Sequence, residues 1–204
     1  MRNYFADVER WPEGAGALHL YVLPGESPLS ERLADAQERI EGIDGLPLQP
    51  QPYLHLTLQR LAQFDDQVAQ RQLSDLGAAL DDALSGTAPF NLTFDLPNVT
   101  DRTVECTAHP SREWDELVAT VREALRATFG PELPAPPHAP HLSLAYATGE
   151  ADDVLVAERL ARSAPLGGFT VTDVHLVSVT MHPKVGVYSF TTLASWPLGG
   201  GPAS

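Results

Sequence analysis

Apolar positions along this chain alternate between short runs and helical spacings, and turn residues separate the two. "ALHLYVL" (17 to 23), bounded by Pro24-Gly25, predicts a strand. Ser27-Pro28 then opens a helix, Ser as cap and Pro at the first helical position. Leu29, Leu33, Ala36 and Ile40 form one face of it, and Gly42 stops it. "PYLHLTLQRL" (52 to 61) reads as a second strand. Asp65 or Asp66 is the expected cap of a helix carrying Leu73, Leu76, Leu80 and Leu84, ended by Gly86. "FNLTFDL" (90 to 96) and "TVECTAH" (103 to 109) alternate at period two around "PNVTD" and predict a hairpin.

The order then recurs. Ser111 caps a helix with Trp114, Leu117, Val118, Val121 and Leu125 on one face, stopped at Gly130. "PHLSLAYA" (140 to 147) follows as a strand, then a helix near 151 to 162. "FTVTDVHLVSVTM" (169 to 181) and "GVYSFTTL" (186 to 193), joined through "HPKV", predict another hairpin, and the tail 199–204 is expected to be mobile. Helix, His strand, helix and hairpin thus occur twice, which reads as an internal duplication of two α+β lobes forming one unit over about 17–198. Pro-rich leaders, "PLQPQPY" and "PELPAPPHAP", enter both His strands and are expected to be stiff loops rimming a cleft between the lobes.

Composition narrows the class. With 204 residues, 43% of them hydrophobic, the chain has enough apolar side chains for a packed core. No apolar run reaches the ~18 residues of a membrane span and the first residues lack a signal-peptide pattern, so a cytoplasmic protein with no membrane partner is expected. Net charge is −14, from 27 acidic and 13 basic residues; twelve of the latter are arginines scattered singly, and Lys184 is the lone lysine. Such a chain is not expected to present an extended nucleic-acid surface, whereas a small or single-ended phosphate ligand fits. Cys106 is the single cysteine, which rules out an internal disulfide and a cysteine-based zinc site.

The candidate chemistry sits in the two His strands. Residues i and i+2 of a strand share a face, so His55 projects with Thr57 and His141 with Ser143, while Leu54, Leu56, Leu58, Leu142 and Leu144 face the core. The histidines are 86 positions apart. A single histidine in an amphipathic strand is ordinarily structural, but the same tetrapeptide at equivalent places in two repeats points to a shared task. If the lobes are related by a pseudo-two-fold axis, two imidazoles face each other as general base and general acid, and two hydroxyls hold the oxygens of a phosphate between them. That set suits metal-free, in-line cleavage of a phosphodiester.

"HLTL" (55 to 58) and "HLSL" (141 to 144), with this order of elements and the early strand "LHLYVLPG", resemble the 2′,5′ RNA ligase and 2′,3′-cyclic phosphodiesterase superfamily, the two-histidine phosphoesterases. The resemblance implies a bilobal, pseudo-symmetric α+β fold with antiparallel sheets lining a central cleft and helices outside. It also implies a cofactor-free reaction on 2′,3′-cyclic phosphates, or its reverse, the joining of RNA ends through a 2′,5′ linkage. His55 and His141 take the acid and base roles, and Thr57 and Ser143 the phosphate-holding ones. Bacterial ligase relatives often carry an arginine five residues after the second motif's histidine. Here that place is Tyr146, and Arg60 stands at the corresponding place of the first motif. Arg60 is a candidate phosphate contact and Tyr146 a candidate base-stacking or hydrogen-bonding residue, but regular alternation turns both away from the His face, so each reaches substrate only across a bulge or a strand end.

Other candidates carry less. His138 and His141 form H-x-x-H, but Pro137 and Pro140 put the pair on extended chain, so no metal site is expected. His19 and Tyr21 share a face of the first strand, where packing is the ordinary role. His109, His175 and His182 belong to hairpins, and Cys106 has the place of a small buried side chain. The expected activity is hydrolysis of a 2′,3′-cyclic phosphate on a small nucleotide or RNA terminus by a monomer. The alternatives are 2′,5′ RNA ligation and a non-catalytic module that binds nucleotides or RNA ends.

Overall fold

The structure, a computed structural model, describes residues 1–12, 14–137 and 139–200. Its elements are β1 (Ala17–Val22), α1 (Pro28–Ile40), β2 (Leu56–Phe64), α2 (Gln70–Ser85), β3 (Phe90–Phe94), β4 (Asn98–Val99) and β5 (Thr103–Thr107), then α3 (Arg112–Phe129), β6 (His141–Tyr146), α4 (Asp153–Leu160), β7 (Gly167–Val171), β8 (Asp173–His182) and β9 (Val187–Pro197). The fold is α+β with antiparallel sheets. One sheet has the order β2-β1-β8-β9; the other half holds β4-β5-β6, with the β3-β7 pair attached through a bridge between Phe94 and Ala108. Each His-bearing strand is the outermost member of its sheet, and β2 and β6 touch across the middle. α1 packs beside α4, and α3 beside α2.

Local chemistry sets the helix ends. Ser27 and Ser111 accept hydrogen bonds from the backbone N–H groups of Ser30 and Trp114, supplying partners to donors that the first helical turn leaves open. The first helix turns its predicted face inward, with Leu29, Leu33, Ala36 and Ile40 buried, and Gly42 follows it at φ +74°, a conformation that favours glycine. α2 starts later than the aspartates suggest. β2 runs on to Phe64, and the Asp65 carboxylate is used elsewhere, accepting from Gly16 N–H at 3.0 Å and Ser178 Oγ at 2.6 Å. A short 3₁₀ turn follows, and Gln72 accepts from the Ala69 N–H at the actual helix start.

Pairing across the chain departs from the local pattern in three places. "FNLTFDL" makes its ladder with β7, from Phe90 opposite Val171 to Phe94 opposite Gly167, and only β4 forms a tight hairpin with β5. The run 169 to 181 is not one strand. It divides at Thr172, its first part joining β3 and its second joining β1 and β9, so the chain passes from one sheet to the other. Among the described residues the Pro-rich leaders do not line the cleft. The first lies along the free edge of β6, where Leu48 bridges to Ala145 and Gln49 N–H donates to Leu144 O at 2.8 Å; the second is held to β2 by the Gln59 side chain, which donates to Pro134 O at 2.9 Å. An edge strand has unpaired backbone groups, and a proline-rich segment caps it without offering a new edge. Leu198–Gly200 form a further 3₁₀ turn, and the rest of the 199–204 tail lies outside the described residues.

Two apolar clusters result. The larger joins the helices to the buried faces of both sheets and includes Leu54, Leu56, Leu58, Leu142 and Leu144. The smaller is aromatic, with Tyr21, Tyr146, Tyr188, Val177 and Val179 supported by Tyr4, Phe5 and Trp11. Being buried by both clusters, β1 has no exposed residue, although its sequence alternates. Among the described residues no helix is long and apolar enough to cross a membrane.

Candidate active site

Strand geometry brings both His motifs to one cleft of about 460 Å³, which His55, Thr57, Arg60, His141, Ser143 and Tyr146 all line. His55 stands one residue ahead of β2, and His141 opens β6. In each case the imidazole Nδ1 bonds to a backbone carbonyl two residues earlier: Tyr53 O at 2.7 Å for His55, Ala139 O at 2.9 Å for His141. A carbonyl only accepts, so Nδ1 carries the proton and Nε2 is left for whatever occupies the cleft. The same device built twice gives two rings of matching tautomer.

The bulge that Arg60 and Tyr146 require is present in both halves. Between β1 and β2 the register moves from Leu20 opposite Gln59 to Tyr21 opposite Thr57, leaving Leu58 as the extra residue. Between β5 and β6 it moves from Val104 opposite Ala145 to Glu105 opposite Ser143, leaving Leu144. An extra residue resets the alternation, so Arg60 and Tyr146 return to the His face. The bulge in β6 is held from outside: Gln37, buried in α1, donates to Leu144 O at 2.9 Å and to Gln49 O at 2.6 Å. On the β2 side, Arg122 of α3 donates to Pro134 O at 2.8 Å and to Gln59 Oε1.

The halves differ in what stands opposite the hydroxyls. Tyr21, opposite Thr57, stacks on His55 with ring centroids 4.0 Å apart and planes 9° from parallel. Phe190 meets the same imidazole edge-on, at 5.8 Å. Glu105 occupies the corresponding place opposite Ser143, accepting from Thr103 Oγ1 at 3.1 Å. Burial among aromatic rings pushes His55 down to about 4, the bond to Tyr53 O opposes this, and the neighbouring His141 adds to it. His55 is therefore neutral at pH 7. His19, buried on β1 with its Nδ1 3.1 Å from Ala17 O, is pushed down to about 3, chiefly by burial. Burial also holds the Tyr21 and Tyr146 phenols above their ordinary value, so both remain O–H donors.

Tyr146 is 6% exposed, its ring packed on Tyr4 at 4.8 Å and Tyr188 at 5.2 Å, so its stacking surface is already used within the chain. Arg60 lies over the Trp11 ring, 5.6 Å from its centroid, with its Nε buried and without a hydrogen-bond partner. His19 and Tyr21, given a packing role by the sequence, are buried and also form part of the cleft wall.

The N-terminal segment is what the sequence reading missed. Tyr4, Val8, Glu9 and Trp11 line the cleft, held by Tyr4 N–H to Ala147 O and Arg2 N–H to Asp101 O, both 2.8 Å. Its one visible signal is three aromatic residues, Tyr4, Phe5 and Trp11, in a stretch without periodicity. The remaining candidates lie elsewhere. His109 is exposed and pairs with Asp95 at 2.8 Å, His175 and His182 bond Ser195 and Ser189, and Cys106 is fully buried with its thiol pushed up to about 12. Of the H-x-x-H pair, His138 lies outside the described residues. No three His, Cys, Asp or Glu side chains converge as a metal donor set among the described residues.

Comparison with solved structures agrees with this architecture. The protein TT0787 of Thermus thermophilus superposes with a TM-score of 0.70 at 23% identity, over 90% of this chain and 98% of that one. LigT of E. coli in complex with 3′-AMP gives 0.66 at 20% identity, over the same shares. The PDE domain of MHV ns2 gives 0.51 at 14% identity, over 88% and 99%. These likenesses establish the fold. Among curated proteins no significant match is found. The sequence itself matches the 2′-5′ RNA ligase superfamily over residues 26–182, a span holding both His motifs and both bulges, and the chain belongs to that superfamily of phosphoesterase and ligase-like enzymes.

Proposed function

We propose that this enzyme hydrolyses 2′,3′-cyclic phosphates of nucleotides or RNA ends without a metal or other cofactor. The observation that carries the reading is the pair of imidazoles on one cleft, each with Nδ1 tied to a carbonyl and Nε2 free. His55, neutral because burial holds it near 4, takes a proton from a water molecule as its oxygen attacks phosphorus. The P–O bond to one ribose oxygen breaks in line, and His141 protonates that oxygen to leave a phosphomonoester. With His55 as base, the acid role falls to His141, the second imidazole on the cleft. Thr57 and Ser143 donate to the non-bridging oxygens, with Arg60 and the Tyr146 hydroxyl beside them. Proton exchange with solvent resets both imidazoles.

The test is incubation with nucleoside 2′,3′-cyclic phosphates, with and without EDTA, scored for phosphomonoester. Equal production in both arms supports the reading, and loss on chelation restored by zinc or manganese overturns the metal-free part. Tight binding with no turnover would make the chain a binding module. If RNA with cyclic-phosphate and 5′-hydroxyl ends is joined rather than hydrolysed, the 5′-hydroxyl takes the place of water and the enzyme is a ligase.

A further inference from the structure

The cleft has two arginines, Arg60 and Arg102, and both are already engaged by the N-terminal segment. Asp7 Oδ2 lies 2.6 Å from Arg102 Nη2, and Glu9 Oε2 lies 3.9 Å from Arg60 Nη2. The guanidinium groups are sunk in the wall, their side chains 24% and 35% exposed, whereas Asp7 and Glu9 are 67% and 79% exposed. In both pairs the carboxylate is the more exposed partner. Glu9, Asp101 and Glu105 line the cleft itself, Asp7 reaches Arg102 from beside that lining, and Asp101 Oδ2 lies 3.7 Å from Arg102 Nε. The segment is fastened as part of the wall: Arg2 bonds Asp101 through Nε at 2.9 Å and Nη2 at 2.7 Å, and Tyr4 packs its ring on Tyr146. It also precedes the residues matched by the superfamily, which begin at 26.

We infer that Asp7 and Glu9 are specificity determinants, which neutralise the cleft's arginines and restrict it to substrates bearing one phosphate group on an otherwise uncharged nucleoside. The inference rests on the phosphoesterase reading and adds the substrate's charge to it. A phosphate held between Thr57 and Ser143 has two hydroxyl donors of its own. A second phosphate on the same nucleoside, or the next one along an RNA, must approach the rim, where exposed carboxylates repel it.

Calorimetric titration with a nucleoside 3′-monophosphate and the corresponding 3′,5′-bisphosphate tests this without requiring turnover. The wild-type chain is expected to bind the bisphosphate no more tightly than the monophosphate. In the Asp7→Asn/Glu9→Gln double variant the ratio of affinities should shift about tenfold or more toward the bisphosphate, and the shift should shrink as salt rises. The charge-keeping variants Asp7→Glu and Glu9→Asp should retain the wild-type ratio. Binding of both ligands with a ratio unchanged within twofold in the double variant, or a wild-type preference for the bisphosphate, overturns this inference and leaves the phosphoesterase reading standing. Binding of neither ligand to any form overturns both.

Discussion

His55 and His141 look interchangeable in sequence, yet their surroundings differ. His55 is stacked on Tyr21 and met edge-on by Phe190, and that apolar contact keeps it neutral. His55→Ala and His141→Ala should each lower turnover of a cyclic nucleotide by roughly 10² to 10⁴-fold, because each removes a proton-transfer partner. Near-normal rates in either well-folded variant would sink the two-histidine mechanism. The pH profile adds a finer check. With the free base near 4, the acidic limb of kcat/KM should lie well below the ordinary imidazole range, and Tyr21→Leu should displace that limb by changing what desolvates His55. An acidic limb at about 6.5 in the wild type would instead show that His55 is not the base.

Elements hold these side chains in place through a few buried polar bonds that local patterns do not reveal. Gln49, 1% exposed, donates to Tyr53 O at 3.1 Å and Tyr188 O at 2.6 Å and accepts from Tyr188 N–H at 3.1 Å, joining the leader of β2 to the strand behind the cleft. Gln49→Leu should cost roughly 1 to 3 kcal/mol in urea unfolding, since it strands buried backbone groups without partners. Ser111→Ala, which removes the cap of α3, should cost about 1 kcal/mol. A loss at Gln49 no larger than at Ser111 would mean that water replaces the amide.

At the scale of the molecule, two histidines held neutral by desolvation link stability to acid. His19 and His55 titrate near 3 and 4 when folded but near 6.5 when unfolded, so the unfolded chain binds more protons in the interval between. Stability is fully present above about pH 6.5 and falls as pH drops toward 4, by up to about 1.4 kcal/mol per pH unit for each histidine. Urea midpoints measured from pH 7.5 to 4.5 should show this slope, and His19→Gln should flatten it; an unchanged slope would show that His19 is protonated in the fold. Charge makes a second prediction. With −14 overall and the cleft arginines neutralised, salt should weaken binding of an RNA end only slightly, with a log-log slope of about −0.7 to −1.4 for one or two phosphates on a single strand. A steep slope with strong preference for long RNA would reveal a basic surface formed by folding.

Much of the site was legible because strand periodicity and a duplicated tetrapeptide are local: alternation alone placed Leu56 and Leu58 inward and His55 beside Thr57. The caps at Ser27 and Ser111 were legible for the same reason, a side chain bonding a backbone group three residues on. Arg60 and Tyr146 marked the limit. Their return to the cleft depends on an extra residue in each His strand, and a bulge is a property of two paired strands rather than of either one. Pairing itself was beyond reach wherever partners lie far apart, as when β3 took β7 across more than seventy residues instead of its near neighbour β5. The same holds for the N-terminal segment, whose place over the cleft follows from bonds to Asp101 and Ala147 that no local pattern encodes. Sequence determined which residues are chemically able to work together; the burial that keeps His55 neutral and the carboxylates that meet Arg60 and Arg102 were decided only when distant segments packed.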